Sequence, residues 1–243
     1  QRNIDTGLLP NYDDGLIDIK TQYQTIGILG VYETLKSFGY TKVDDLGNTF
    51  YTDDAFRFGE QIFKVIHDIK NEFGKDKDYM INLEAVPAES CAVKMQYADI
   101  MLYPDKVIDD LPLYGNQFIP LGIKTTLQER VRIASAFDEY CSGGSILHVN
   151  IEAPFNSFEQ AWDMLNYITD NGVTYFAFNN KIQACKNNHA FFGTTCPICG
   201  EPVATEYIRI VGYLTPVETW SKERKHEFTM REFHDLNSKS DLY

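Results

Sequence analysis

Apolar positions recur along the chain with two periods, and the period sorts the chain into helices and strands. The most regular helical stretch is Thr52 to Phe73, where Phe56, Phe58, Ile62, Phe63, Ile66 and Ile69 fill one broad face with polar residues between. The Gly74–Asp78 run that follows is expected as a loop. Thr21 to Phe38 carries Ile26, Ile28, Leu29, Tyr32 and Leu35 as a buried stripe and is expected as a helix capped by Gly39. Gly27 and Gly30 sit inside it, each costing roughly 1 kcal/mol against Ala, so either the helix starts later or something packs closely there. Two further helices are marked by capping boxes. Thr126-Leu127-Gln128-Glu129 opens one running to Tyr140, and Ser157-Phe158-Glu159-Gln160 opens another running to Asp170.

The strand signals are Tyr79–Val86 (YMINLEAV), Ser145–Ile151 (SILHVNI) and Val173–Phe178 (VTYFAF). The last two flank a helix, so they form a βαβ unit and should lie parallel. Residues 100–123, with Pro104, Pro112, Gly115 and Pro120, are expected as a long structured connection. Beyond Trp220 the pattern is a charged helix with a polar tail. The fold class is α/β.

With 243 residues, 44% of them apolar, the chain can bury a sizeable core. No apolar run is long enough to span a membrane, and the first residues lack the layout of a signal peptide. The start without Met suggests a piece of a longer polypeptide. Lys plus Arg number 22 against 35 Asp plus Glu, a net charge of −13 with no basic run to offset it, which argues against a nucleic-acid partner. Five cysteines, three of them close together near a histidine, point to metal ligation in a reducing compartment, hence the cytoplasm.

That cluster is Cys185, His189, Cys196 and Cys199. A Cys-x2-Cys turn followed by Gly200 brings two thiolates to one metal, and the Cys185/His189 pair closes the tetrahedron. Four ligands with no open position are the pattern of a structural zinc site. The flanks hold few basic residues, which favours a clamp over a nucleic-acid knuckle. Cys91 and Cys141 are expected to pack in the core.

Two other stretches carry candidate chemistry. At Pro87-Ala88-Glu89-Ser90 a strand leads into an abruptly started helix, with Pro87 expected at its first position. Such an end, with small residues and backbone N–H groups exposed, can hold an anion. After the metal cluster comes Arg209-Ile210-Val211-Gly212-Tyr213-Leu214, which periodicity alone reads as a strand with a glycine bulge.

A Cys-rich zinc site directly before Arg-x-x-Gly-Tyr resembles the anaerobic (class III) ribonucleoside-triphosphate reductases, members of the glycyl radical enzyme family. Thr25–Gly30, Glu84–Ser90, Tyr114–Gln117, Pro120-Leu121 and Gly143-Gly144 also fit. The resemblance implies that residues 1–179 are the C-terminal part of a ten-stranded α/β barrel. It makes 180–203 a zinc-binding subdomain, 204–222 the glycyl radical loop, and 223–243 a C-terminal helix and tail. Gly212 would carry the radical, generated by a radical-SAM activase, and Pro87, Ala88, Glu89 and Ser90 would hold the phosphates of a ribonucleoside triphosphate. Reduction to the deoxyribonucleotide and a homodimer are implied in the same way. The thiyl cysteine of the family has no match here and is expected upstream, so the chain alone is expected to be inactive. The rival readings are another glycyl radical enzyme, of formate-lyase or diol-dehydratase type, and a non-enzymatic zinc-ribbon interaction module.

Overall fold

The computed structural model describes residues 2–107, 111–210 and 212–237, with Glu89 described in its backbone only. Val211 of the glycine segment and the end of the expected tail, 238–243, lie outside the described residues. Two single-turn helices, α1 (Arg2–Asp5) and α2 (Pro10–Asp13), lead to the first strand, β1 (Tyr23–Gly27). Here the helix expected over 21–38 starts later, as its glycines allowed, and its first part is a strand instead. β1 pairs in parallel with β4 (Met80–Glu84), and only Val31–Ser37 forms a helix, α3. The glycines decide it. Gly30 takes φ +75° as the N-cap of α3, and a Cβ at Gly27 would stand 2.3 Å from Val86 Cγ1. A helix through both positions is incompatible with these constraints.

A short hairpin, β2 (Thr41–Val43) and β3 (Thr49–Tyr51), precedes α4 (Asp53–Lys77). Thr52 caps α4 by accepting from Ala55 N–H. The helix runs through the expected Gly74–Asp78 loop and ends where Asp78 enters the left-handed region at φ 56°. Gly74 is retained inside it because Tyr79 O would lie 2.8 Å from a Cβ there. The helix thus extends about one turn beyond its expected end at Phe73.

After β4 come α5 (Glu89–Leu102), α6 (Leu127–Asp138), β5 (Leu147–Asn150), α7 (Phe158–Asp170) and β6 (Phe176–Asn179). β5 and β6 are parallel, as the βαβ pattern predicts. The β1–β4 and β5–β6 pairs are joined by a parallel bridge between Glu84 and Gly144, supported by Gly143 N–H to Leu83 O at 2.7 Å and Ala85 N–H to Gly144 O at 3.1 Å. Both capping hydroxyls act as expected: Thr126 accepts from Glu129 N–H at 3.2 Å and Ser157 from Gln160 N–H at 3.1 Å. The reciprocal half of each box is absent, because Glu129 Oε1 accepts from Tyr51 N–H and Gln160 Oε1 from Asn156 N–H.

Apolar packing lies on the helix side of the four parallel strands. One cluster joins Leu35, Phe63, Leu83, Phe118, Ile133 and Phe137; the next joins Val131, Leu147, Val149, Ile151, Ile168 and Val173. Alternation then sends Asn82 and Glu84 of β4, His148 and Asn150 of β5 and Asn179 of β6 to the opposite face. That face is polar along its length. Buried Arg130 ties down the long connection, donating to Ile119 O at 2.9 Å, Pro120 O at 3.4 Å and Ile123 O at 3.0 Å.

The rest is one antiparallel sheet of β7 (Ile182–Ala184), β8 (Ala190–Phe191), β9 (Thr205–Arg209) and β10 (Leu214–Pro216), in the order β10-β9-β7-β8. Helix α8 (Lys222–Met230) follows, capped by Ser221. Residues 231–237 are no loose tail: His234 bridges Ile151 in parallel, and His234 N–H donates to Asn150 O at 2.9 Å. No helix among the described residues is long and apolar enough to cross a membrane.

Candidate functional site: a metal knot, a glycine hairpin and a polar face

The metal cluster stands at one end of the antiparallel sheet. Cys185 follows the last residue of β7, and the turn to β8 passes through Asn188 at φ 62° so that His189 O accepts from Cys185 N–H at 3.2 Å. The second pair closes through Gly200, whose φ of 72° lets Cys196 N–H reach Glu201 O at 2.8 Å. The result brings one ligand atom from each of Cys185, His189, Cys196 and Cys199 within 4.8 Å of all the others. Sulfur to sulfur, Cys185 and Cys199 are 3.7 Å apart; His189 Nδ1 is 3.6 Å from both Cys185 Sγ and Cys196 Sγ. A zinc tetrahedron with Zn–S of about 2.3 Å and Zn–N of about 2.0–2.1 Å has edges of about 3.8 Å and about 3.5–3.6 Å. The donor set therefore fits a tetrahedral metal, zinc included. The Glu201 backbone N–H, then the Asn187 side chain, hold the Cys199 thiol down to about 6, which favours the ligating thiolate. Cys185 and Cys196 are buried, with Phe191 against them.

The glycine segment is a hairpin tip. Arg209 ends β9 and pairs with Leu214, which begins β10, so the chain reverses between them and Gly212 is exposed. The bulge expected inside a strand is replaced by this turn. β7 links the two devices: Ala184 pairs with Thr205 and Ile182 with Tyr207, so the metal ligand Cys185 is one residue beyond the register that holds the glycine hairpin. Arg209 reaches across to donate to Gly212 O. Arg231 in turn donates to Arg209 O at 2.8 Å and is gripped by Glu227 at 2.8 and 2.9 Å. Lys181, at the foot of the sheet, lies over the rings of Phe228 and Phe233.

The glycine itself is the anomaly. Of the sixteen glycines, fifteen either adopt positive φ or would place a Cβ 3.0 Å or less from another atom. Gly212 does neither; its φ is outside the left-handed range and nothing among the described residues lies within 4 Å of a Cβ. Backbone and packing would accept alanine there.

At the Pro87–Ser90 turn the sequence expectation needs correcting. Pro87 precedes the helix; the N-cap is Ala88, held at φ 44°, and α5 begins at Glu89. Ala88 makes no side-chain cap, so among the described residues the first N–H groups of α5 have no N-cap acceptor. Ser90 lines a cavity of about 380 Å³ together with Lys94, Ser221 and Arg224 and, from the glycine hairpin, Ile210 and Thr215. The candidate substrate turn and the hairpin thus meet at one cavity, with two cations and one carboxylate, Glu223, in its lining, in a chain of net charge −13. Arg224 also donates to Pro87 O at 3.4 Å. Lys94, Arg224, Glu227 and Arg231 were not legible as site residues; the one signal was the i,i+4 spacing of Glu227 and Arg231.

Neither remaining cysteine joins this cavity. Cys141 is buried on the helix side of the sheet, where burial pushes its thiol up to about 12. Cys91 is exposed on α5 instead of packed in the core, because its side of the helix has no partner among the described residues.

Residues 4–234 match the family model described as anaerobic ribonucleoside-triphosphate reductase. A solved anaerobic ribonucleotide reductase is similar over 96% of this chain and 38% of its own, with 38% identity and a TM-score of 0.90. The anaerobic ribonucleotide reductase of Thermotoga maritima is similar in a structure with glycerol in the active site (38% identity, 93% of this chain, 37% of that one, TM-score 0.84). It is similar again in complex with dATP and CTP (36% identity, 95% and 37%, TM-score 0.82). No curated protein matches the chain. The chain spans well under half the length of the structures it resembles. With nearly all its residues matched, and a Cys3His knot sharing a sheet with an Arg-x-x-Gly-Tyr hairpin, the chain belongs to the anaerobic ribonucleoside-triphosphate reductase family.

Proposed function

We propose that this chain is the C-terminal portion of an anaerobic ribonucleoside-triphosphate reductase in which Gly212 carries the radical. The observation that carries the reading is that Gly212 is a glycine the fold does not require. A Cα radical does require it: without a side chain the centre can flatten between its two amide groups and share spin with both, and a reactive thiol can approach closely. On this reading the Gly212 centre takes the hydrogen atom of a cysteine thiol that lies outside this chain. The resulting thiyl takes hydrogen from the substrate ribose.

This chain's own part is positioning. Arg209 holds the Gly212 carbonyl, Arg231 and Glu227 hold Arg209, and zinc at Cys185, His189, Cys196 and Cys199 fixes the sheet on which the hairpin stands. The uncapped start of α5 at Ala88, Glu89 and Ser90, with Lys94 and Arg224 beside it, suits the phosphates of a ribonucleoside triphosphate. The polar face of β4, β5 and β6 belongs to the interior of the ten-stranded barrel that the complete polypeptide would close. A radical-SAM activase would generate the radical; a homodimer is part of the same reading, and the reduced cysteines support the cytoplasm as its compartment.

The test uses the complete polypeptide, incubated anaerobically with its activase and S-adenosylmethionine. A glycyl doublet in the EPR spectrum, absent in Gly212→Ala, together with chain scission near Gly212 on admission of air, is the expected result. No doublet in protein that retains its zinc and its fold would overturn the proposal. It would favour a non-enzymatic zinc module.

A further inference from the structure

His148 stands on β5, on the polar face beneath the glycine hairpin, and is 2% exposed. Its two ring nitrogens have unlike surroundings. The state of Nδ1 can be worked out from a chain of amides. Glu232 O can only accept, so Asn150 must turn its Nδ2 toward it (3.3 Å) and present Oδ1 on the other side. Asn179 must then donate through Nδ2 to Asn150 Oδ1 at 3.3 Å, and the same Nδ2 lies 2.9 Å from His148 Nδ1. Nδ1 is therefore the acceptor, and the proton of the neutral ring is on Nε2. Burial, with Arg231 and Arg209 nearby, holds the imidazole down to about 4, so the ring is neutral at working pH.

Among the described residues Nε2–H has no hydrogen-bond partner, although it is buried. An unpaired buried donor is a costly feature. His148 lines a small cavity that also touches Asn116 of the long connection, Ile210 of the glycine hairpin and Arg231. The cavity measures about 20 Å³, enough for one water, which needs about 10–15 Å³ and two to four polar partners.

We propose that this cavity is a binding site for a single internal water held by His148 Nε2–H, and that the bridge it forms positions the root of the glycine hairpin over the sheet. The site itself rests on geometry alone; its consequence for the radical rests on the reading of Gly212 given above. His148 is a positioning residue, acting on the hairpin through the water and Arg231, with Asn179 and Asn150 fixing its tautomer.

Two measurements on the complete polypeptide separate these parts. A crystal structure that resolves waters should show one at about 2.7–3.2 Å from His148 Nε2; no water at that distance overturns the site. His148→Leu removes the donor, and His148→Gln supplies an amide N–H in its place. After anaerobic activation the leucine variant is expected to lose glycyl spin several-fold and to be cut faster by protease at the hairpin, with zinc content unchanged. The glutamine variant should recover most of the spin. Full spin in the leucine variant, or a glutamine variant no better than leucine, overturns the positioning role. Should the leucine variant fail to fold, the glutamine variant decides alone, and a large loss of spin in it counts against the role. No doublet in the unsubstituted protein would sink the Gly212 reading, leaving the water measurement to judge the cavity.

Discussion

Alanine at position 212 should separate chemistry from architecture. An added methyl meets nothing within 4 Å, and φ lies in a range open to every residue. Replacing Gly by Ala where the native conformation is compatible stabilises by roughly 0.4–1 kcal/mol, through loss of unfolded-state freedom. In a chain of this size that is an increase in melting temperature of about 1–4 °C. The contrast is Gly143→Ala, where a Cβ would stand 2.8 Å from Asn82 Nδ2 and 3.0 Å from Leu83 O, at the bridge between the two strand pairs. Forcing that contact should cost about 1–3 kcal/mol. The assay is a pair of thermal melts, followed by circular dichroism at fixed zinc, beside anaerobic EPR on the complete polypeptide. Gly212→Ala should melt at or slightly above the unsubstituted protein and show no glycyl doublet; Gly143→Ala should melt several degrees lower. A clear loss of stability in Gly212→Ala would refute the reasoning, because a structural demand would then explain the glycine and the radical would not be needed to account for it.

Two other outcomes follow from the geometry. Chelation, or Cys196→Ser, should abolish binding of one zinc per chain and speed amide hydrogen exchange first in β7 and β9, since Cys185 adjoins their register; unchanged zinc content in Cys196→Ser would remove the clamp. Glu33, buried with Oε1 accepting from Gly115 N–H at 2.9 Å, is pushed by burial up to about 7. A carboxyl raised in the folded state binds more protons there than in the unfolded one, so its contribution is intact below about 4.5 and is lost as pH rises through about 7. Glu33→Gln should therefore equal the unsubstituted protein near pH 4.5 and exceed it at pH 8, by an amount on the order of 3 kcal/mol at most. Urea titrations at both pH values check this, and an equal difference at both would refute it.

Local signals carried well and remote ones did not. The ligand spacing Cys-x3-His and Cys-x2-Cys is a property of two turns, so the knot could be read before any fold was known. So could the hydroxyl caps at Thr126 and Ser157. Their acidic and amide partners could not, because Tyr51, which claims Glu129, is remote in sequence. β1 was read as a helix for a related reason. All five of its residues are exposed, and its partner β4 is more than fifty residues away, so neither alternation nor a nearby turn marked it as a strand. Gly30 did mark its end, since a positive φ there is what a helix interior cannot accommodate.

The same reasoning sharpens what the glycine segment means. From sequence, the glycine at 212 and those at 27 and 30 look alike, as interruptions of otherwise regular stretches. In three dimensions Gly27 and Gly30 are explained by a methyl group that would collide or a dihedral that only glycine enters freely. Gly212 is explained by neither, yet its turn is anchored: its carbonyl is held by Arg209, Arg209 by Arg231, and the neighbouring strand adjoins a four-ligand knot. A turn that needed only to reverse the chain would call for no such support. Support of this kind, concentrated on a residue with no side chain, is what a reactive backbone centre needs, because its distance to a thiol must be fixed while its own atoms remain accessible.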